Sequence, residues 1–146
     1  MKKIGEIIEG QTLFHLPSTE SVRDAARTMS EHNIGAIAVL DAGTLVGIFS
    51  ERDVLSRIVA DGRDPDSTLV DSVMTKSIVV ASPSDDINEG LQKMHAHKCR
   101  HLPVVQDGKV LGMVSIRDLL QVDDDANRAK ASFLGELVTH SPDYET

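Results

Sequence analysis

The sequence predicts an α+β fold: two tandem strand–helix–strand–strand–helix repeats, related by pseudo-two-fold symmetry and followed by a C-terminal helical tail. Three observations carry this. Ile34–Leu55 aligns without a gap on Cys99–Leu120 at a constant offset of 65 residues, with identities at Val39/Val104, Gly43/Gly108, Gly47/Gly112, Ser50/Ser115, Arg52/Arg117, Asp53/Asp118 and Leu55/Leu120. Chance gives roughly one or two matches in such a window. Just upstream of each copy, apolar residues recur at helical spacing. Within each copy, two short apolar runs flank a glycine-containing turn, the pattern of a hairpin.

Each element follows in order. "TLFHL" (Thr12–Leu16) and "SIVVA" (Ser77–Ala81) are short extended segments. "SVRDAARTM" places Val22, Ala25, Ala26 and Met29 on one helical face, and "DINEGLQKM" does the same with Ile87, Gly90, Leu91 and Met94. The paired strands are "AIAVL" and "TLVGIF", then "LPVV" and "VLGMV", with Gly43 and Gly108 in the turns. "SERDVLSRIVA" and "SIRDLLQV" open second helices. The first repeat spans 4–62, the linker 63–68, the second repeat 69–122 and the tail 123–146. "ADGRDPDST" has the Gly, Asp and Pro of a connection, and "DSVMT" after it is a short helical turn.

Composition excludes several function classes. The 146 residues suffice for a real core, which aromatic residues at 3% and no Trp make aliphatic. A net charge of −8 opposes nucleic-acid binding and adhesion to anionic membranes. No apolar run reaches the roughly 20 residues of a membrane span. Glu6 and Glu9 in "MKKIGEIIEG" argue against a secretory leader. A single cysteine suits a reducing compartment, so a cytoplasmic protein is expected.

"HAHKCRH" alternates His95, His97, Cys99 and His101. On a strand these four would form one row of ligands for zinc. Met94 ends a helix, however, so His95 and His97 lie in its last turn, about 200° apart, while Cys99 and His101 enter a strand. No metal is expected. His97, like His32, is expected to cap a helix end, and Cys99 to be a small buried hydrophobe.

The chemistry concentrates where a strand gives way to a helix, in "GIFSERD" (Gly47–Asp53) and "GMVSIRD" (Gly112–Asp118). A capping box alone would explain Ser50 with Asp53 and Ser115 with Asp118. It does not require Gly47 and Gly112, or Arg52 and Arg117, in both copies. A phosphate site at a helix N-terminus would use the free N–H groups and the arginines. A carboxylate can accept both ribose hydroxyls, and glycine leaves room for a ligand or a neighbouring strand.

These motifs, with "RHLPVV" and "DSVMTKSIVVASPSDDI", resemble a tandem pair of cystathionine beta-synthase (CBS) domains, a Bateman module, over about residues 4–122. The resemblance implies a non-catalytic regulatory module that binds an adenosyl ligand (AMP, ADP, ATP, NAD or S-adenosylmethionine) between the repeats. It implies Asp53 and Asp118 on ribose, Ser50 and Ser115 near ribose or phosphate, and a homodimer. The copies differ: Gly35, Ala36 and Ala38 stand where the second has Arg100, His101 and Pro103. Arg100 and His101 are therefore expected to give one site an extra cationic wall, or else to be solvated. The alternative function is a protein-interaction module that regulates a partner, such as a thioredoxin-like or metabolic enzyme. No nucleophile–base set and no phosphate loop of the Gly-Lys-Ser/Thr type points to an enzyme. In the tail, Asp123–Asp125 suit a solvated helix start rather than a magnesium site. Phe133, Leu134, Leu137 and Val138 form an apolar stripe that would cover the module or a second subunit.

Overall fold

The computed structural model describes residues 2–122. The tail, with Asp123–Asp125 and the Phe133–Val138 stripe, lies outside the described residues. The first repeat contains β1 (His15–Leu16), α2 (Val22–Glu31), β2 (Ala36–Asp41), β3 (Thr44–Ser50) and α3 (Glu51–Asp53), and α3 continues as a π-helical segment, Val54–Val59. The second contains α4 (Ile87–His97), β4 (His101–Gln106), β5 (Lys109–Ser115) and α5 (116–122). A four-residue helix α1 (Ile4–Ile7) opens the first, and a 3-10 turn (Val70–Ser72) opens the second. The mixed helices and sheets are those the sequence predicts.

The duplication is visible in the backbone. β2 pairs antiparallel with β3 and β4 with β5, each with a register shift at the same place, Val39/Leu40 and Val104/Val105. The hairpin turns put Ala42 and Gly43, then Asp107 and Gly108, in the left-handed region, with φ of 51, 81, 52 and 78°. Two left-handed residues in succession make the turn whose twist matches that of the flanking strands. Asn33 and Lys98 stop α2 and α4 with φ of 53 and 54°. His32 holds the cap position of α2, but α4 runs one residue further, so His97 is helical and Lys98 is its cap. The cap expected at His97 is thus shifted by one residue.

The first strands are unequal. β1 pairs parallel with β2 through His15↔Ala38 and Leu16↔Val39. In the second repeat only the bridge Ala81↔Val104 remains of the expected strand "SIVVA". Pro83, two residues on, cannot donate to a ladder, and its carbonyl instead accepts from Gly5 N–H at 2.9 Å.

Two aliphatic clusters form the core, and they exchange segments. Leu16, Val22, Met29, Ile37, Val39 and Phe49 pack with Val70, Val73 and Met74 from the chain after the linker. Ala81, Ile87, Met94, Leu102, Val104 and Val114 pack with Ile4 and Ile8 from α1 and its end. Each repeat's core is therefore completed by the opening segment of the other repeat. Ile4 and Val70 are both fully buried, and each is worth about 1.5–3 kcal/mol of transfer free energy.

Gly47 and Gly112 admit these exchanged segments. A Cβ on Gly47 would stand 2.5 Å from Met74 Sδ; one on Gly112 would stand 2.7 Å from Gln11 Oε1 and 3.1 Å from Ile8 Cβ. The space these glycines leave is filled by the chain's own side chains, the neighbouring-segment alternative rather than the ligand one. The backbone of Thr75 exchanges two hydrogen bonds with Ile48, at 2.9 and 3.0 Å. At the equivalent place the side-chain amide of Gln11 does the same for Met113: its Oε1 accepts from Met113 N–H at 2.9 Å and its Nε2 donates to Met113 O at 3.0 Å.

Candidate functional site

Both motifs form where an outer strand turns into a helix, and both close the same reciprocal cap. Asp53 N–H donates to Ser50 Oγ at 3.2 Å and Ser50 N–H to Asp53 Oδ2 at 2.9 Å. Asp118 N–H donates to Ser115 Oγ at 3.0 Å and Ser115 N–H to Asp118 Oδ2 at 2.9 Å. Each helix start is tied to the head of the inner strand: Glu51 N–H donates to Gly35 O at 3.0 Å and Ile116 N–H to Arg100 O at 2.8 Å. The capping reading thus holds at both motifs, and the surroundings decide what else each can do.

At the second motif the surroundings are open. Ser115, Arg117 and Asp118 line a cleft of about 1440 Å³ together with Arg100, His101 and residues of the first repeat, among them Thr12, Leu13, Phe14, Gly35, Ala36 and Glu51. That volume exceeds the roughly 300–1,000 Å³ of most small-molecule sites. The cleft is cationic through Arg100 and Arg117 and carries the Asp118 carboxylate. Phe14 forms another wall, with its ring stacked on His32 at a centroid distance of 4.0 Å and an interplanar angle of 20°.

His101 fills the space that Gly35 leaves open. A Cβ on Gly35 would lie 3.2 Å from His101 Nε2 and 3.1 Å from Glu51 Oε1. Burial holds the imidazole below its ordinary pKa of 6.5; Asp118 opposes this and Arg100 adds to it. Neutral imidazole is therefore favoured near pH 7.

The first motif is placed differently. Asp53 is 7% exposed. Its Oδ2 also accepts from Ser50 Oγ at 3.1 Å, and its Oδ1 lies 3.6 Å from Arg57 Nε and 3.5 Å from Thr75 Oγ1. Ser50, Arg52 and Asp53 do not line the cleft, nor do Gly47 and Gly112. Of the ten residues singled out in the sequence, the cleft thus gathers Ser115, Arg117, Asp118, Arg100 and His101.

The row of histidines and cysteine in "HAHKCRH" is dispersed. His95 and His97 are exposed in the last turn of α4, Cys99 is half-buried rather than fully buried, and His101 lies in β4. Among the described residues no group of three or more His, Cys, Asp or Glu is placed to hold a metal ion. Nor, among them, is any helix long and apolar enough to cross a membrane.

The sequence reading did not single out Thr12, Phe14, Glu51 or Arg57. Phe14 had one signal, as a rare aromatic in a chain with three Phe. Arg57 gave none, since an arginine on a helix ordinarily marks a solvated face.

Comparison with known proteins agrees with the duplicated fold. The family model of the CBS domain matches twice, at residues 5–60 and 70–125. The chain is 35% identical over 126 residues to the mitochondrial CBS domain-containing protein CBSX3 of Arabidopsis thaliana, a match over 83% of this chain and 61% of that protein. This chain thus spans less than two thirds of that relative. A solved Burkholderia ambifaria protein with CBS domains superposes with a TM-score of 0.78 at 30% identity, covering 96% of this chain and 100% of that one. A CBS domain protein of Pyrobaculum aerophilum, solved in complex with AMP, superposes at 0.73 with 27% identity, over 80% of this chain and 88% of the other.

Proposed function

Because the chain belongs to the CBS-domain family, as a tandem pair, we propose that it is a non-catalytic regulatory module that binds an adenosyl nucleotide in the cleft at the second motif. The observation that carries this is the convergence of Ser115, Arg117, Asp118, Arg100 and His101 on one cleft between the repeats. The AMP bound by the Pyrobaculum aerophilum protein supports the ligand class.

In this reading Asp118 accepts the ribose hydroxyls through the oxygen its cap leaves over. Arg117 and Arg100 give charge-assisted donors to phosphate. Phe14, backed by His32, offers a flat face on which a purine stacks. AMP, ADP, ATP and NAD all carry these parts. We assign no metal or catalytic role to the cleft.

We further propose a homodimer. Leu55, Val59 and Leu120, at 64, 66 and 42% exposure, are apolar side chains on the second helices of the two repeats, and a second copy would cover them. Exposed apolar side chains such as Leu55 and Val59 equally favour the second reading, a module that docks a partner enzyme. A reducing compartment such as the cytoplasm suits the single cysteine.

Thermal melts of ligand-free protein with adenosyl compounds, against GMP and CMP, test the proposal. A ligand at about 100 times its Kd adds roughly 2.7 kcal/mol, which raises Tm by about 5–10 °C for a domain of this size. No shift with any adenosyl compound refutes the nucleotide reading and leaves the docking module.

A further inference from the structure

We infer that Arg57 closes the first motif, so that each chain takes up one adenosyl nucleotide and not two; this rests on the nucleotide reading above. Asp53 repeats Asp118 in sequence and in its cap, yet both of its carboxylate oxygens have partners beyond the cap's single N–H. Oδ2 takes the Ser50 hydroxyl, and Oδ1 faces Arg57 Nε at 3.6 Å and Thr75 Oγ1 at 3.5 Å. The Arg57 guanidinium is held there from the other side. Its Nη1 donates to Val73 O at 2.9 Å and to Met74 O at 3.4 Å, carbonyls of the segment that completes the first core.

The position equivalent to Arg57 in the second repeat is Val122, which has no charge to offer Asp118. The helix that carries Arg57 is wound as a π-helix over Val54–Val59, whereas 116–122 is α-helical. π-helix is rare and stands frequently at functional sites, so this winding sets the helix of the first motif apart from that of the second. A ribose diol at the first motif would have to displace a guanidinium already paired with the carboxylate and bonded to two backbone carbonyls. Neutral hydroxyls are weaker donors to a carboxylate than a guanidinium is, so the internal cation holds the place.

The test is the number of AMP molecules bound per chain, by equilibrium dialysis, with thermal melts to confirm folding. Wild-type protein is expected to bind one. Asp118→Ala with Arg57 intact is expected to bind no more than about a tenth of an equivalent at AMP about ten times the wild-type Kd, the occupancy left by a hundredfold loss. Arg57→Met, which keeps the apolar stem, is expected to gain a second equivalent, and the double variant Arg57→Met/Asp118→Ala to keep that one. Two equivalents on wild-type protein, binding in Asp118→Ala well above that level, or a folded Arg57→Met protein that still takes one, overturns the inference alone. Wild-type protein that takes none of AMP, ADP, ATP and NAD overturns the nucleotide reading and this inference with it. If Arg57→Met does not fold, the Asp118→Ala result decides.

Discussion

The Ser-x-x-Asp loops at Ser50–Asp53 and Ser115–Asp118 differ in what surrounds them, although their caps agree to within 0.2 Å in each hydrogen bond. Asp118 stands at the edge of a large cleft, while Asp53 is packed against Arg57 and Thr75. Duplication copies a backbone faithfully, because turns, caps and core periodicity are local. It does not copy an environment, which depends on residues elsewhere in the chain that are free to diverge. A motif found twice is therefore two caps with certainty, and two binding sites only where the neighbours permit.

The comparison is broken most directly at its two carboxylates. Asp118→Ala should lower affinity for AMP about a hundredfold, since two hydrogen bonds to a charged acceptor are worth about 3 kcal/mol together. Its stability should fall by about 1 kcal/mol, the worth of a cap. Asp53→Ala should leave affinity unchanged. It should cost about 2 kcal/mol in urea unfolding, because it removes the cap and also leaves Arg57 without its carboxylate; Arg57 is 47% exposed, which moderates the loss. Equal affinity losses in the two variants would erase the distinction between the motifs.

Arg100 sharpens the same contrast, since its counterpart is Gly35. Arg100→Ala should weaken ADP by about tenfold and adenosine hardly at all, because the guanidinium acts on phosphate charge. Calorimetric titrations at two salt concentrations check this. Equal losses for both ligands would mean that Arg100 supports the fold of the cleft rather than its charge.

His101, whose counterpart is Ala36, gives the smallest effect. Its folded pKa is depressed, chiefly by burial. The unfolded state thus binds a proton more readily, so the stability gained from the neutral form is full above pH 6.5 and declines as pH falls from there toward the folded value. Melts at pH 5.5 and 7.5 should show wild type losing more stability on acidification than His101→Gln. A phosphate in the cleft favours the imidazolium, so ADP affinity should rise over the same fall in pH, and this rise should vanish in His101→Gln.

Most of the architecture was legible because it rests on spacing. Met29 and Met94 lie on helical faces, Gly43 and Gly108 mark hairpin turns, and the offset of 65 residues joins the two halves. What escaped depends on tertiary neighbours. Helix α1 has four residues, too few for a periodic signal. "SIVVA" has strand composition but yields one bridge, because the backbone beyond it turns to meet α1. Gly47 and Gly112 were legible as places of close approach, but what approaches them, Met74 in one case and Gln11 with Ile8 in the other, comes from segments distant in sequence. Arg57 looks like any exposed helical arginine until Asp53 and the Val73 carbonyl stand beside it. The asymmetry at Arg100 and His101 was legible because an internal repeat supplies its own reference.

The exchanged core segments also set a timetable for folding. Ile4 and Ile8 leave the ribosome early, yet Leu102, Val104, Val114 and Leu119, against which they pack, emerge about a hundred residues later. At about 5–20 residues per second, the first turn of helix waits roughly 5–20 seconds for its place, with its isoleucines exposed. The first repeat waits less, since Val70–Met74 follow it closely. The first repeat's hairpin can therefore settle during synthesis, while a later stage closes helix α1 onto the second repeat.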